Sequence, residues 1–366
     1  MRILLVNEAS GVQGYLAAGL RALGHEVVHA MPHGRSRQGR GADVHLGVEG
    51  EGIAAAAARL VRPPLRLARL GRFDVVHHVL GITAFTSRVL RNRDLSTIAR
   101  SGALVSYTGL GCDEIALLRV RDPAQARRSP CAGCEAHDAI GHICRAEILA
   151  RRPATAQVAS HVDVCVTPMF DYDHAGAFFP RATQVRIPLP VDLATIAPAP
   201  ARHEGTLRIV HAPTRRGFKG SDVILEAMSR VMARRTDATF TVVEGLRHAQ
   251  YLTVMRDADI LVDQVHAYGA GMAALEALAQ GKVVVSGNAP EMQAYFAWGA
   301  ENPIVDASAD PAVLATRIAA LLDDRSRVAA LAAAGRAFIA RRHAADVVAA
   351  AHVAAWDEAR HRRGAA

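Results

Sequence analysis

Three cations and one carboxylate stand out by residue type and spacing. The run His211-Ala212-Pro213-Thr214-Arg215-Arg216-Gly217-Phe218-Lys219-Gly220 sets two arginines and a lysine beside two glycines. It lies between an apolar strand and a helical segment, Asp222 to Met232. Guanidinium groups bind oxyanions bidentately and lysine adds a compact charge, so this junction suits a diphosphate better than a merely solvated basic loop. Further on, Tyr268-Gly269-Ala270-Gly271-Met272-Ala273-Ala274-Leu275-Glu276 follows the strand Ile260 to Val262. A helix starting near Gly271 presents free N–H groups from Gly271 to Ala273 that could hold phosphate, and it carries Glu276 where a carboxylate reaches ligand hydroxyls. A third junction, Asn7-Glu8-Ala9-Ser10-Gly11, ends the first strand and opens a helix through Leu16 and Leu20. It has the form of an anion-accepting turn but lacks the spaced glycine triplet of a dinucleotide fold, so an ordinary turn glycine explains Gly11 as well.

The elements that must position these groups are legible. Short all-apolar runs recur: Ile3 to Val6, Val75-Val76, Leu104 to Tyr107 and Val162 to Val166. They resume at Leu207 to Val210, Phe240 to Val243, Ile260 to Val262, Val283 to Val285 and Pro303 to Val305. Such strands separated by helix-length segments indicate parallel sheets covered on both faces. Four prolines between Pro188 and Pro200 break the series with a stiff, non-helical connector. The expected organisation is an α/β chain with two doubly wound domains. The first is 1–187, with a cysteine-rich insertion near 112–152. A linker at 188–203 leads to the second, 204–345, and a helical tail at 346–366.

Composition sets the outer bounds. A chain of 366 residues that is 51% hydrophobic and 21% charged supports a large core and excludes intrinsic disorder. The apolar runs are too short to span a bilayer, and Met1 to Val6 is too short for a secretory signal, so a cytoplasmic protein is expected. The net charge of +8 points to an anionic partner. At 5% aromatic residues, nucleic-acid stacking is not that partner's mode.

Taken in order, these segments resemble the retaining family-four type of GT-B glycosyltransferase (glycosyl transferases group 1). His211 to Gly220 and Tyr268 to Val285 are similar to that family's donor half. Gly11 to Val27, Phe73-Asp74-Val75-Val76-His77-His78 and Ile187 to Asp192 resemble its opening helix, second landmark and interdomain linker. The resemblance implies a GT-B architecture, two Rossmann-like domains facing across a cleft, and transfer of a sugar from a nucleotide diphosphate sugar to an unidentified acceptor. By the same resemblance Arg216 and Lys219, with Arg215 in support, neutralise the leaving diphosphate, and Glu276 binds the donor ribose. Tyr268, Gly269, Gly271, Met272 and Ala273 line the donor. Gly11, placed with that set, lets the acceptor approach the first domain. No catalytic metal is implied. Two positions depart from the family: Tyr268 stands where its first glutamate would be, and Leu110 where a histidine would be. They motivate alternatives of the same fold, an inactive sugar-nucleotide-binding or scaffold protein, or a nucleotide-sugar epimerase. His77 and His78 are candidates to stand in for the missing histidine or to be structural.

Two features lie outside the family pattern. Cys112, Cys131, Cys134 and Cys144 supply four soft ligands with one Cys-x2-Cys pair, in a polar segment that is a poor core-former. They suit a structural zinc better than free thiols, and better than a redox pair, which normally opens a helix. Cys165, within an apolar strand, reads as core. Arg59, Arg62, Arg66, Arg69 and Arg72 alternate with leucines and could touch an anionic membrane. Pro63-Pro64 is expected to interrupt that helix, and a solvated face is the simpler account.

Overall fold

The computed structural model describes residues 1–31, 42–81, 85, 90, 93–112, 127–137 and 159–365. Seven parallel strands form the first sheet, in the order β3-β2-β1-β4-β5-β6-β7. They are β1 (Arg2–Val6), β2 (Glu26–Met31), β3 (Val44–His45), β4 (Val75–Val79), β5 (Leu104–Thr108), β6 (Val164–Val166) and β7 (Thr183–Val185). The second sheet is also parallel, in the order β12-β11-β10-β8-β9. It comprises β8 (Leu207–His211), β9 (Ala238–Val242), β10 (Ile260–Val262), β11 (Val283–Ser286) and β12 (Val305–Asp306).

The apolar runs became strands because both faces of each sheet are covered. On one face of the first sheet Ile3, Leu5, Val75, Leu104 and Val164 pack against Leu16 and Leu20 of the helix Val12–Ala22 and against Trp356. Trp356 belongs to the last helix, Ala345–Ala365, so the C-terminus folds back onto the first sheet. The two helices lie so close that a side chain at Gly19 would reach within 2.0 Å of the Ala345 carbonyl oxygen. In the second sheet, Ile209, Ile260, Val262 and Val283 pack on Ile224 and Met228 and on Leu314, Ile318, Leu321 and Leu322. These last four share one face of the helix Pro311–Asp323.

The chain crosses between the sheets twice, side by side. The proline-rich connector descends past Val191, whose N–H donates to the His343 carbonyl at 2.6 Å. The return strand of chain donates back from Ala345 N–H to the Val191 carbonyl at 3.0 Å. Among the described residues, no helix is long and apolar enough to cross a membrane.

Candidate functional site

In open parallel sheets the crevice outside the carboxyl ends of the strands is where ligands sit. Each junction singled out above lies at such an end, and the tertiary structure treats the three differently.

At the end of β1 the helix Val12–Ala22 begins after Gly11. Its first amides are already taken. Gln13 N–H and Gly14 N–H donate to the Glu8 carboxylate at 3.3 and 3.0 Å. Burial holds the Glu8 carboxyl above its ordinary range, against the opposing pull of His29 and these amides. The anion seat of this turn is therefore filled by the chain's own carboxylate.

At the end of β10 the seat is open. The helix Met272–Gln280 starts after Gly271, and among the described residues no side-chain hydrogen bond caps its N-terminus. A Cβ built on Gly271 would meet nothing within 4 Å, so a ligand can approach the backbone there. Glu276 is buried within this helix. Its Oε1 accepts from Tyr15 Oη at 2.6 Å and lies 2.9 Å from His248 Nε2. Tyr15 comes from the opening helix of the first domain and His248 from the start of the helix His248–Asp257, so three segments converge on one carboxylate. Tyr251, from the same helix as His248, ties it to the site by donating to the Ala273 carbonyl at 2.6 Å. Neither Tyr15 nor His248 has a sequence motif; contact with Glu276 is what marks them, from across the cleft for Tyr15 and from a neighbouring helix of the same domain for His248.

The third junction, at the end of β8, separates its three cations. Lys219 is buried and its Nζ lies 2.7 Å from Asp263 Oδ1, while Ser286 Oγ holds the other carboxylate oxygen at 2.9 Å. Arg216 forms a bidentate pair with exposed Glu244, at 2.8 and 2.7 Å. Arg215 stacks on the Phe218 ring at 4.2 Å and donates to Cys112 Sγ at 3.3 Å and Cys134 Sγ at 3.7 Å. Gly220 ends the Lys219 turn with φ +71°, and a side chain there would also strike Val265 at 2.3 Å. Only glycine satisfies both demands.

Tyr268 and Gly269, which the resemblance places on the donor, have their backbone amides engaged by the first domain. Their N–H groups donate to Asp171 Oδ1 and Oδ2 at 3.1 and 3.0 Å. Asp171 belongs to the first domain, on the 3-10 turn Phe170–Tyr172, and desolvation pushes its carboxyl up to about 6. The Tyr268 hydroxyl accepts the N–H of Arg127 at 2.8 Å. The segment that follows Arg127 straps the second domain, with Arg128 pairing Asp306 at 2.7 Å.

Cys131 and Cys134 sit in the helix Pro130–His137, which packs on the Arg216–Lys219 turn. A side chain at Gly133 would approach the Gly217 carbonyl oxygen to 2.3 Å. The Cys-x2-Cys pair opens this helix, as a redox pair normally does. Cys112 and Cys134 meet at the Arg215 guanidinium. Among the described residues, no group of three or more His, Cys, Asp or Glu side chains is arranged to hold a metal ion. Cys144, the fourth proposed zinc ligand, lies outside the described residues. Cys165 is buried in β6, as expected.

His77 and His78 are both fully buried. His77 is a structural histidine: it bonds Ser106 Oγ at 2.9 Å and Thr108 Oγ1 at 3.1 Å, and packs on His352 and Trp356. Burial lowers His78 to about 3, so it stays neutral. Leu110 is a core residue.

Comparison with known proteins bears on the fold and on the second domain. A family model described as glycosyl transferase-like matches residues 222–354. No curated protein matches the chain in sequence. Among solved structures, the fold is similar to HepE of Anabaena in complex with UDP and glucose, with TM-score 0.62 and 12% identity over 98% of this chain and 100% of that one. It is likewise similar to sucrose-phosphate synthase of Thermosynechococcus elongatus, with TM-score 0.64 and 14% identity over 98% and 99%. A glycosyltransferase of Rickettsia africae gives 0.59 and 11% over 98% of each chain. The fold defines the class: the chain has the GT-B architecture. Within it, the second domain carries the glycosyl transferase-like pattern, and the chain resembles the group 1 glycosyltransferases.

Proposed function

We infer that this chain is a glycosyltransferase, moving a sugar from a nucleoside diphosphate to an acceptor held by the first domain, with retention at the anomeric carbon. The observation that carries the reading is the uncapped helix start at Gly271, with the Glu276 carboxylate on the same helix. Helix N-terminal amides suit a diphosphate and a buried carboxylate suits ribose hydroxyls. As the bond between the anomeric carbon and the diphosphate oxygen breaks, negative charge grows on the diphosphate. The free amides and Lys219 would stabilise it. The acceptor oxygen forms the new bond to that carbon, and its proton passes to the departing diphosphate oxygen, which leaves as the nucleoside diphosphate. Asp263 and Ser286 hold the lysine in place until a ligand competes for it. Arg216 joins the site only by leaving Glu244. Retention rests on the family-four resemblance, and the structural neighbour holding UDP and glucose supports a nucleotide sugar as donor.

The test is the pair Lys219→Ala and Glu276→Ala, assayed for sugar transfer and, by calorimetry, for nucleotide-sugar binding. Lys219→Ala should abolish turnover with the fold intact, and Glu276→Ala should weaken donor binding. Unchanged transfer in the first variant would sink the assignment, and equal donor affinity in the second would remove the ribose role. A non-catalytic sugar-nucleotide binder is the second reading, favoured by the Tyr268 hydroxyl that occupies the place of a family carboxylate and is engaged by Arg127. A donor that binds but is neither transferred nor hydrolysed would decide for it.

A further inference from the structure

The helix Ile53–Arg69 is inside out. With about 100° per residue, Arg59, Arg62, Arg66 and Arg69 fall within an arc of about 80°. The side chains of Ile53, Leu60, Val61 and Leu65 fall within about 140° on the other side of the helix. A surface helix ordinarily turns its apolar stripe to the core. Here two of the arginines face the protein. Arg59 Nε donates to the Val48 carbonyl at 3.3 Å, and Arg66 Nη1 to those of His45 and Gly47 at 2.9 and 2.7 Å. The apolar side chains face out: Ile53 is 91% exposed, Val61 56%, Leu65 51% and Leu60 40%.

The prolines do not interrupt the helix, which runs through Pro63 and Pro64. They leave the Arg59 and Leu60 carbonyls without their helical N–H partners. Buried Pro63 and half-buried Leu67 anchor one edge of the helix to the protein. The rest of the apolar face has no element packed over it among the described residues.

We propose that this helix docks the chain on an anionic lipid bilayer. Ile53, Leu60, Val61 and Leu65 enter the boundary between head groups and acyl chains, and exposed Arg62, Arg69 and Arg72 meet the lipid phosphates. Charge complementarity selects this occupant over a neutral apolar partner. Residues 52–72 hold five arginines and no Asp or Glu, in a chain whose net charge is +8. Such a helix lies in the interface plane, its binding the sum of buried apolar area and attraction to anionic lipid. The proposal stands on the surface alone and is read without a transfer assay, so its failure leaves the glycosyl-transfer reading untouched.

The test is sedimentation of the full chain with vesicles of pure phosphatidylcholine, or of phosphatidylcholine containing phosphatidylglycerol. Binding is expected to the anionic vesicles only, weakening as salt rises from about 0.1 to 0.5 M. An arginine near an anionic surface contributes about 1 kcal/mol, or about fivefold. The double variant Arg62→Gln with Arg69→Gln should thus bind about 25-fold more weakly. Leu60→Ser with Leu65→Ser should lower binding by more than about tenfold. All four positions are exposed or half-exposed at the helix surface, and an unchanged melting temperature certifies the fold. Absence of binding to the anionic vesicles overturns the proposal, as does binding that both variants retain. A wild-type dimer that Leu60→Ser with Leu65→Ser dissolves would overturn it too, assigning the face to a second copy of the chain.

Discussion

Asp171 offers the sharpest test of how the two domains are joined at the site. Its carboxylate is fully enclosed and accepts two amide N–H groups from the opposite domain, at 3.1 and 3.0 Å. Desolvation is the largest influence and raises its pKa from the ordinary 3.8 to about 6, the amide bonds opposing it. The folded state therefore binds this proton more tightly than the unfolded state. The contribution is favourable below pH 3.8 and is lost as pH rises to about 6. At about 1.4 kcal/mol per pH unit, the loss amounts to about 3 kcal/mol. Asp171→Asn has no proton to lose. Urea unfolding of both proteins from pH 4 to 7 isolates the effect, because all other groups titrate alike in the two. The stability of the native protein relative to the variant should fall by about 2.4 kcal/mol across that window, the first part of the loss having occurred by pH 4. A difference constant to within about 0.5 kcal/mol would refute the claim that Asp171 ionises late in the fold. Asparagine can accept from only one of the two amides with its single carbonyl oxygen, leaving the other unpaired at a cost of about 1–3 kcal/mol. The variant should therefore also show a higher donor KM.

Other perturbations probe separate links. Tyr15→Phe removes a buried bond to a carboxylate and should cost about 1.5–3 kcal/mol of stability by urea unfolding; a value near zero would show that Tyr15 and Glu276 are not bonded in solution. Gly19→Ala forces a methyl against the Ala345 carbonyl and should destabilise by about 1–3 kcal/mol, with faster proteolysis of the last helix; an unchanged cleavage rate would argue against that docking. Trp356→Ala empties a fully buried site on the first sheet and should cost about 3–5 kcal/mol. A melting temperature unchanged by that substitution would show that the C-terminal helix does not pack there.

Much of the fold was legible because parallel strands buried on both faces must be apolar throughout. The runs at Ile3, Val75, Leu104, Leu207, Ile260 and Val283 all became strands. β2 was missed because its pattern is interrupted by His29, which is buried but bonded to the Asn7 carbonyl. β3 and β7, two and three residues long, leave too little periodicity to read. The prolines at 63 and 64 argued against a helix that tertiary contacts at Arg59 and Arg66 nevertheless hold together.

At the site, the sequence determined which residue types stand at the strand ends: the basic loop, the glycine turn and Glu276. Their types follow from local chemistry, because a tight turn needs glycine and an anion seat needs free amides or cations. The allocation of partners depended on the tertiary structure. Glu8 fills one anion seat while the Gly271 seat stays open. Lys219 turns to Asp263, Arg216 to Glu244 and Arg215 to two cysteine sulfurs. Tyr15 and Asp171 reach across the cleft, and an amphipathic helix shows its apolar face to solvent. Each of these is a choice among partners distant in sequence. Such choices are settled by which groups burial brings within bonding distance, and spacing along the chain carries no record of that.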